Sequence, residues 1–381
     1  MTNRFAYLGY ALLVALVIPA VGQTQPAKKA PAAKPAAPGK YNPPRQADGH
    51  PDLSGTYDAA TLTPLERMPG TNLVMTKEEA AKEEATAVAL KQQGDESIEA
   101  NRAAPPKGGD GSPGPAGNVG GYNSGWLDPG STFTMVDGSI RASLLIDPPD
   151  GRVPPTLKGA SSMPMPSGVG LLKYLLTTAP PRPTSDASES NDPGLERYPN
   201  AYDNPENRPL ADRCLLGFGS TSGPPMLPNY FYNNLHQIVQ TPEAIMILTE
   251  MVHDVRVVRM NAQHLPKNIR LWLGDSIGHW EGDTLVVETT NFTDKTNFRG
   301  STPDLRVIER FTRTGPHSLL YRFTIDDPKT WTKPWTGEYT WPEAKGNIYE
   351  YACHEGNYAL MNILKGARQR EREAAAKSGA K

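Results

Sequence analysis

Cysteine is almost missing from this chain: 381 residues carry only Cys214 and Cys353. The framework can therefore hold one disulfide at most, and in an oxidising compartment a lone pair usually forms it. Charge excess is missing too, with 39 Lys and Arg against 41 Asp and Glu. That balance leaves no basic footprint for nucleic acid. Long apolar runs are missing after the first 22 residues, which excludes integral membrane association. The recognisable catalytic signatures are absent as well. There is no G-x-S-x-G elbow, no phosphate-binding Gly loop, no dinucleotide fingerprint, no H-E-x-x-H pair and no c-type haem motif. Serine-hydrolase, nucleotide and nicotinamide chemistry are disfavoured accordingly, and no cofactor or metal is assigned.

The N-terminus has the pattern of an export signal. Arg4 supplies a short positive region, Leu8 to Val17 an apolar one, and Ala20-Val21-Gly22 a small-x-small cleavage site before Gln23. The expected location is periplasmic or secreted. Residues 23–47 are rich in Ala, Pro and Lys and read as a solvated tether. With 38 prolines and 35 glycines, the chain is well above the usual combined share of about 12%. Such usage favours short strands and many turns.

The segment 48–234 is expected to be a loop-rich wrap. Thr76-Lys-Glu-Glu79 is a capping box that opens a surface helix over 77–93. Residues 132–146 read as a hairpin turning at Asp137-Gly138. From 235 to 353 the pattern changes to strand-like runs with short links: 236–241, 244–250, 254–260, 284–290, 306–313, 318–325, 336–341 and 347–353. Short links make antiparallel neighbours. The fold class predicted is mainly β, an antiparallel up-and-down barrel or curled sheet of lipocalin-like type. Residues 354–381 are expected to close the chain as a helix and tail, the helix itself over 357–377. In this arrangement a disulfide joins the middle of the chain to its last strand. The competing reading, Cys353 beside His354 as a free nucleophile, requires two adjacent strand residues to act together although they face opposite ways.

Several blocks together are distinctive: PDLSGTY (51–57), DPPDGR (147–152), GPPMLPNYFYNNLHQIVQTPE (223–243), MVHDVRVV (251–258), WLGDSIGHWEGDTLVVETTNFTDKTNFRG (272–300), DDPKTWTKPWT (326–336) and YEYACHEGNYALMNIL (349–364). On these the chain resembles a family of uncharacterised exported proteins of environmental bacteria, from about Asp48 to Gly366. The resemblance implies export and a shared fold, and it carries over no catalytic residues.

Two functional readings follow, and a third is an accessory protein acting through its surface. In the first, a small organic ligand binds in or at the mouth of a barrel, with His236, Glu250, Trp280, Asn291 and Arg299 around it. In the second, a hydrolase or lyase acts on a small extracellular substrate, drawing acid–base groups from His253, Asp254, His279, Glu281 and His354. Asp275 and Glu355 belong to the same polar constellation. The loop Asn291–Gly300 reads as a connection anchored by Phe292 and Phe298, or as a lid over a barrel mouth. Trp331, Trp335, Tyr339 and Trp341 are expected to fill a core rather than to stack on ligands.

Overall fold

The computed structural model describes residues 41–94, 128–157, 169–170, 200–217, 223–228, 232–296 and 298–379. The expected leader, most of the tether, the stretch 103–125, expected from its Pro and Gly content to be loop, and most of 180–207, expected as a surface excursion without apolar periodicity, lie outside them. The N-terminal part holds β1 (Gly55–Asp58), β2 (Val74–Met75), α1 (Lys77–Gly94), β3 (Met135–Val136), β4 (Ser139–Arg141) and β5 (Leu145–Asp147). Then come β6 (Leu235–Gln240), β7 (Ala244–Thr249), β8 (Asp254–Met260), β9 (Asp275–Glu281), β10 (Thr284–Thr290), β11 (Arg306–Gly315), β12 (Ser318–Asp326) and β13 (Trp335–Pro342), and finally α2 (Ala359–Gly379).

Alternation sorts the side chains of the main strands. In β11 Val307, Glu309 and Phe311 are buried while their neighbours are not. In β12 Leu319, Tyr321, Phe323 and Ile325 repeat the pattern. One face of each strand thus turns to a common interior, as period-2 patterning requires. Ten strands make one sheet in the order β1-β6-β7-β8-β9-β10-β11-β12-β13-β5. The sheet curls into a half-barrel. Its first strand reaches the end of β13 through the antiparallel bridge Tyr57–Glu343, and the Ala344 N–H bonds Thr56 O at 2.8 Å. A second sheet, β2-β4-β3, turns at Asp137-Gly138 and packs on the outside of β13, where Arg141 pairs with Glu338 and the Thr340 hydroxyl donates to Met135 O.

The capping box is formed: Glu79 N–H donates to Thr76 Oγ1 and Thr76 N–H to Glu79 Oε2. α1 rests on Leu62 and Phe133 through Ala87 and Leu90. Three features differ from the expected layout. β8 and β9 pair in parallel, because the fourteen residues between them cross back along the sheet instead of turning tightly. β1 and β5, from the N-terminal wrap, complete the main sheet. The expected strand 347–353 does not form, since the edge of β13 that it would need is taken by β5. That stretch instead bonds locally, as in Cys353 N–H to Tyr351 O.

The interior is filled, and its centre is ionic. Arg256 on β8 makes a two-pronged pair with Glu309 on β11, at 2.5 and 2.9 Å, with both side chains at most 5% exposed. The Tyr321 hydroxyl donates to the same carboxylate at 2.9 Å. The strap Gly223–Pro228 crosses this space fully buried. Met226 N–H donates to Tyr321 Oη, and the Tyr339 hydroxyl donates to Met226 O, each at 2.9 Å. Around them pack Phe311, Phe323, Trp335 and Trp341, all 0% exposed. Gly337 makes room for Phe323, whose ring would lie 2.5 Å from any added Cβ. Trp331, Tyr339, Phe292 and Phe298 are likewise buried, so the aromatic cluster and the loop anchors are core.

Cys214 and Cys353 form a disulfide with Cα atoms 5.8 Å apart, closing a separation of 139 residues. In the chain-entropy treatment so long a closure contributes about 5 kcal/mol at most. Among the described residues no helix is long and apolar enough to cross a membrane.

A buried pair broken on one side leaves an uncompensated charge, which costs about 3–5 kcal/mol. Arg256→Leu is therefore expected to lower unfolding free energy by that amount in urea titrations. Adding Glu309→Leu should recover more than half of the loss, a coupling that a double-mutant cycle reads directly.

Candidate functional site

The barrel mouth is built where β6 begins, β7 ends and β8 begins. Between β7 and β8 the chain turns through Met251-Val252-His253. Val252 (φ 64°) and His253 (φ 51°) both adopt left-handed backbone. A β-branched residue there is costly, of order 1–3 kcal/mol, and such strain collects at functional sites. Val252 is buried while His253 is exposed.

Beside this turn lies a cleft of about 500 Å³. One wall is Met251 and Val252. A second comes from 211–217, chiefly Leu216, and a third from Tyr351-Ala352-Cys353 and Asn357, with Tyr232 between. The disulfide joins the second wall to the third, and Asn357 Nδ2 donates to Cys214 Sγ at 3.4 Å. Tyr232 and Tyr351 are hydrogen-bonded; burial and that contact push the Tyr351 hydroxyl up to about 12. A second cleft, of about 660 Å³, runs between α2 and residues 202–208.

Carboxylates gather round the mouth. Asp212 lines the cleft and is held by Arg208 at 2.6 Å. Glu250 accepts long bonds from the N–H groups of Leu235 and Tyr349, both 3.4 Å. Asp58 is pushed up by burial and further by Asp128 and Glu250. Asp254 shares the face of β8 that buries Arg256. Burial pushes its carboxyl up to about 6, the neighbouring His253 offsetting part of the shift. Its Oδ2 is buried with no hydrogen-bond partner.

The candidate residues fall into separate places. His253 and Asp254 sit at the mouth, and His354 is exposed next to Cys353, outside the cleft lining. His279 and Glu281 lie on the outer face of β9, 54% and 48% exposed, 3.3 Å from each other. Arg310 pairs with Glu281 and, with His279, holds its carboxyl below the usual range. The structure thus brings His279 to Glu281 and leaves both on the face opposite to Asp254. Of the binding set, His236 is inside, stacked on Trp341 at 4.9 Å and 3.2 Å from Thr249 Oγ1. Burial, with the Arg256 charge second, drives its imidazole down to about 3, so it is neutral. Asn291 secures the β8–β9 crossover by donating to Leu265 O at 2.9 Å. Trp280 stacks on His50 at 4.8 Å. Arg299 is half-buried in left-handed backbone at the loop's end. Only Glu250 of this set borders the mouth.

Other groups stand out only in the folded chain. His264 bridges Asp275 (2.9 Å) and Glu288 (3.3 Å) over the outer face of the sheet. Burial pushes Asp275 up, but bonds from Leu265 N–H, His264 and Arg259 outweigh it and keep it low. Leu216, Tyr232 and Tyr351 fall in no catalytic motif or ligand spacing, so nothing in the sequence marked them. Among the described residues no group of three His, Cys, Asp or Glu is placed to hold a metal ion. The chain matches no family model, no curated protein and no solved structure.

The raised Asp254 implies a defined pH dependence. Its folded pKa of about 6 lies above its unfolded value, so the folded state binds more protons between the two. Ionised Asp254 therefore destabilises the protein above pH 6 and ceases to do so as pH falls. Asp254→Asn is expected to stabilise the protein at pH 8 by about 1 kcal/mol, allowing for solvent screening, and to change little at pH 4. Thermal melts at the two pH values check this.

Proposed function

We propose that this protein is an exported binder of a small organic ligand, held in the cleft at the barrel mouth beside the Cys214–Cys353 disulfide. One observation carries the reading. The interior is occupied by the Met226 strap and the Arg256–Glu309 pair, while a cleft of about 500 Å³ stays open at the mouth. That volume falls within the range of small-molecule sites, about 300–1,000 Å³. Its lining has the usual character as well, mostly apolar and aromatic with a few polar groups. Export is supported by the leader-like N-terminus, by the disulfide, and by the resemblance to exported proteins.

The hydrolase or lyase reading keeps one supporting feature, the Asp254 carboxyl raised to about 6 beside the strained turn of Val252 and His253. Its neighbour in that set is His253; His279 and Glu281 face away, and His236 is neutral and enclosed.

Native mass spectrometry of protein purified without chelator tests the first reading. An organic mass that is present on the wild-type chain and lost on denaturation is expected. Ala352→Trp, which fills the cleft, is expected to carry none of it. The same mass retained by that variant places the ligand elsewhere.

A further inference from the structure

This inference rests on the mouth cleft being a ligand site, and names what the site selects. We infer that the cleft takes a flat aromatic molecule that is uncharged or cationic, and rejects anions.

Shape and lining set the first half. Tyr232 and Tyr351, bonded to each other, present aromatic surface between the aliphatic walls of Leu216, Met251 and Val252. Ring faces prefer to meet another aromatic body or a cation. Their hydroxyls offer a neutral hydrogen-bonding group at one end.

Charge sets the second half. Asp212 lines the cleft, Glu250 precedes the Met251–Val252 wall, Asp254 follows it, and Asp58 stands within electrostatic reach of Glu250 and Asp128. Glu355 follows the Tyr351–Cys353 wall in the chain, exposed beside His354. Two arginines of the 208–213 stretch stand near this rim without lining the cleft. Arg208 is paired with Asp212, and Arg213 donates to Glu206 O. Arg256 lies deeper and is neutralised by Glu309. His253 and His354 are exposed to solvent. Among the described lining residues Asp212 is the one charged side chain, and no Lys, Arg or His stands there to meet a carboxylate, sulfonate or phosphate. Recognition of such anions ordinarily relies on Arg forks or helix N-termini.

Two dyes with one skeleton separate the ideas. N-phenyl-1-naphthylamine is uncharged, and 1-anilinonaphthalene-8-sulfonate adds one negative charge to it. Titrated by fluorescence at pH 7.5 in low salt, the uncharged dye is expected to bind roughly tenfold more tightly, the penalty of a few like charges at cleft distances. That ratio should shrink in 0.5 M salt, because the rim is exposed and screened. Ala352→Trp should abolish binding of the uncharged dye. Leu216→Trp provides a second block, and far-ultraviolet circular dichroism shows whether each variant keeps its sheet.

Equal binding of the two dyes, both lost in folded blocking variants, would leave the site standing and overturn the selectivity. Binding of neither dye, or binding untouched by both folded variants, overturns the site together with the selectivity.

Discussion

The buried pair between Arg256 and Glu309 is the constraint on which the rest of the molecule depends. Two full charges are withdrawn from water, and only close, two-pronged contact makes that tolerable. The pair spans from β8 to β11, so both strands must curl toward one interior, and the register of β9 and β10 between them is fixed. The Tyr321 hydroxyl completes Glu309 and at the same time accepts the Met226 N–H, while Tyr339 secures the other side of Met226. One polar cluster thus specifies the curl of the sheet and the path of the strap through it. A barrel assembled this way has spent its interior on itself.

The consequence falls at the mouth. Strands end there, backbone groups need partners, and three distant pieces of chain meet: 211–217, the β7–β8 turn and 351–357. No strand pairing holds the last piece. The disulfide does so, helped by Asn357 and by the Tyr232–Tyr351 bond. A cleft walled by a covalent staple and a strained turn keeps its shape without a packed core of its own. Low packing density would otherwise be a defect in a protein interior, and its persistence here is what makes the place suited to a guest.

Much of the architecture is legible in the residues. Alternation in β11 and β12 marks strands with one buried face, Asp137-Gly138 marks a turn, Thr76 to Glu79 marks a helix start, and two cysteines in a chain with a leader-like start suggest their own pairing. What could not be read is long-range competition. Tyr349-Glu-Tyr-Ala-Cys353 has the composition of a strand, yet β5 occupies the edge it would need. The fourteen residues between β8 and β9 hold two hydrogen-bonded turns, at 266–269 and 271–274, but neither joins the two strands as a hairpin, so their parallel crossover leaves no local trace. The polar candidates suffered from the same limit. Period 2 puts His279 and Glu281 on one face of β9, but which face curls inward depends on strands far away in sequence. His236, one of seven histidines, is an enclosed and neutral core residue because Trp341 and Thr249 happen to close over it.

Electrostatics divides the molecule along the same line. Within the barrel Arg256 is matched by Glu309, and over its outer face Arg259, Asp275, His264, Glu288 and Arg306 form a continuous chain of opposite charges. Both sets are close to self-neutral and project little field. The mouth is different. Glu250 is held by backbone N–H groups rather than by a cation, and Asp254 has an oxygen with no partner at all. A folded chain tolerates unmatched carboxylates only where water or a guest can compensate them, because burial alone would drive them neutral. Asp254, poised near pH 6 behind a strained turn, is part-way along that path. These carboxylates flank in sequence the turn whose Met251 and Val252 wall the cleft, so the proposed ligand would have to answer to them.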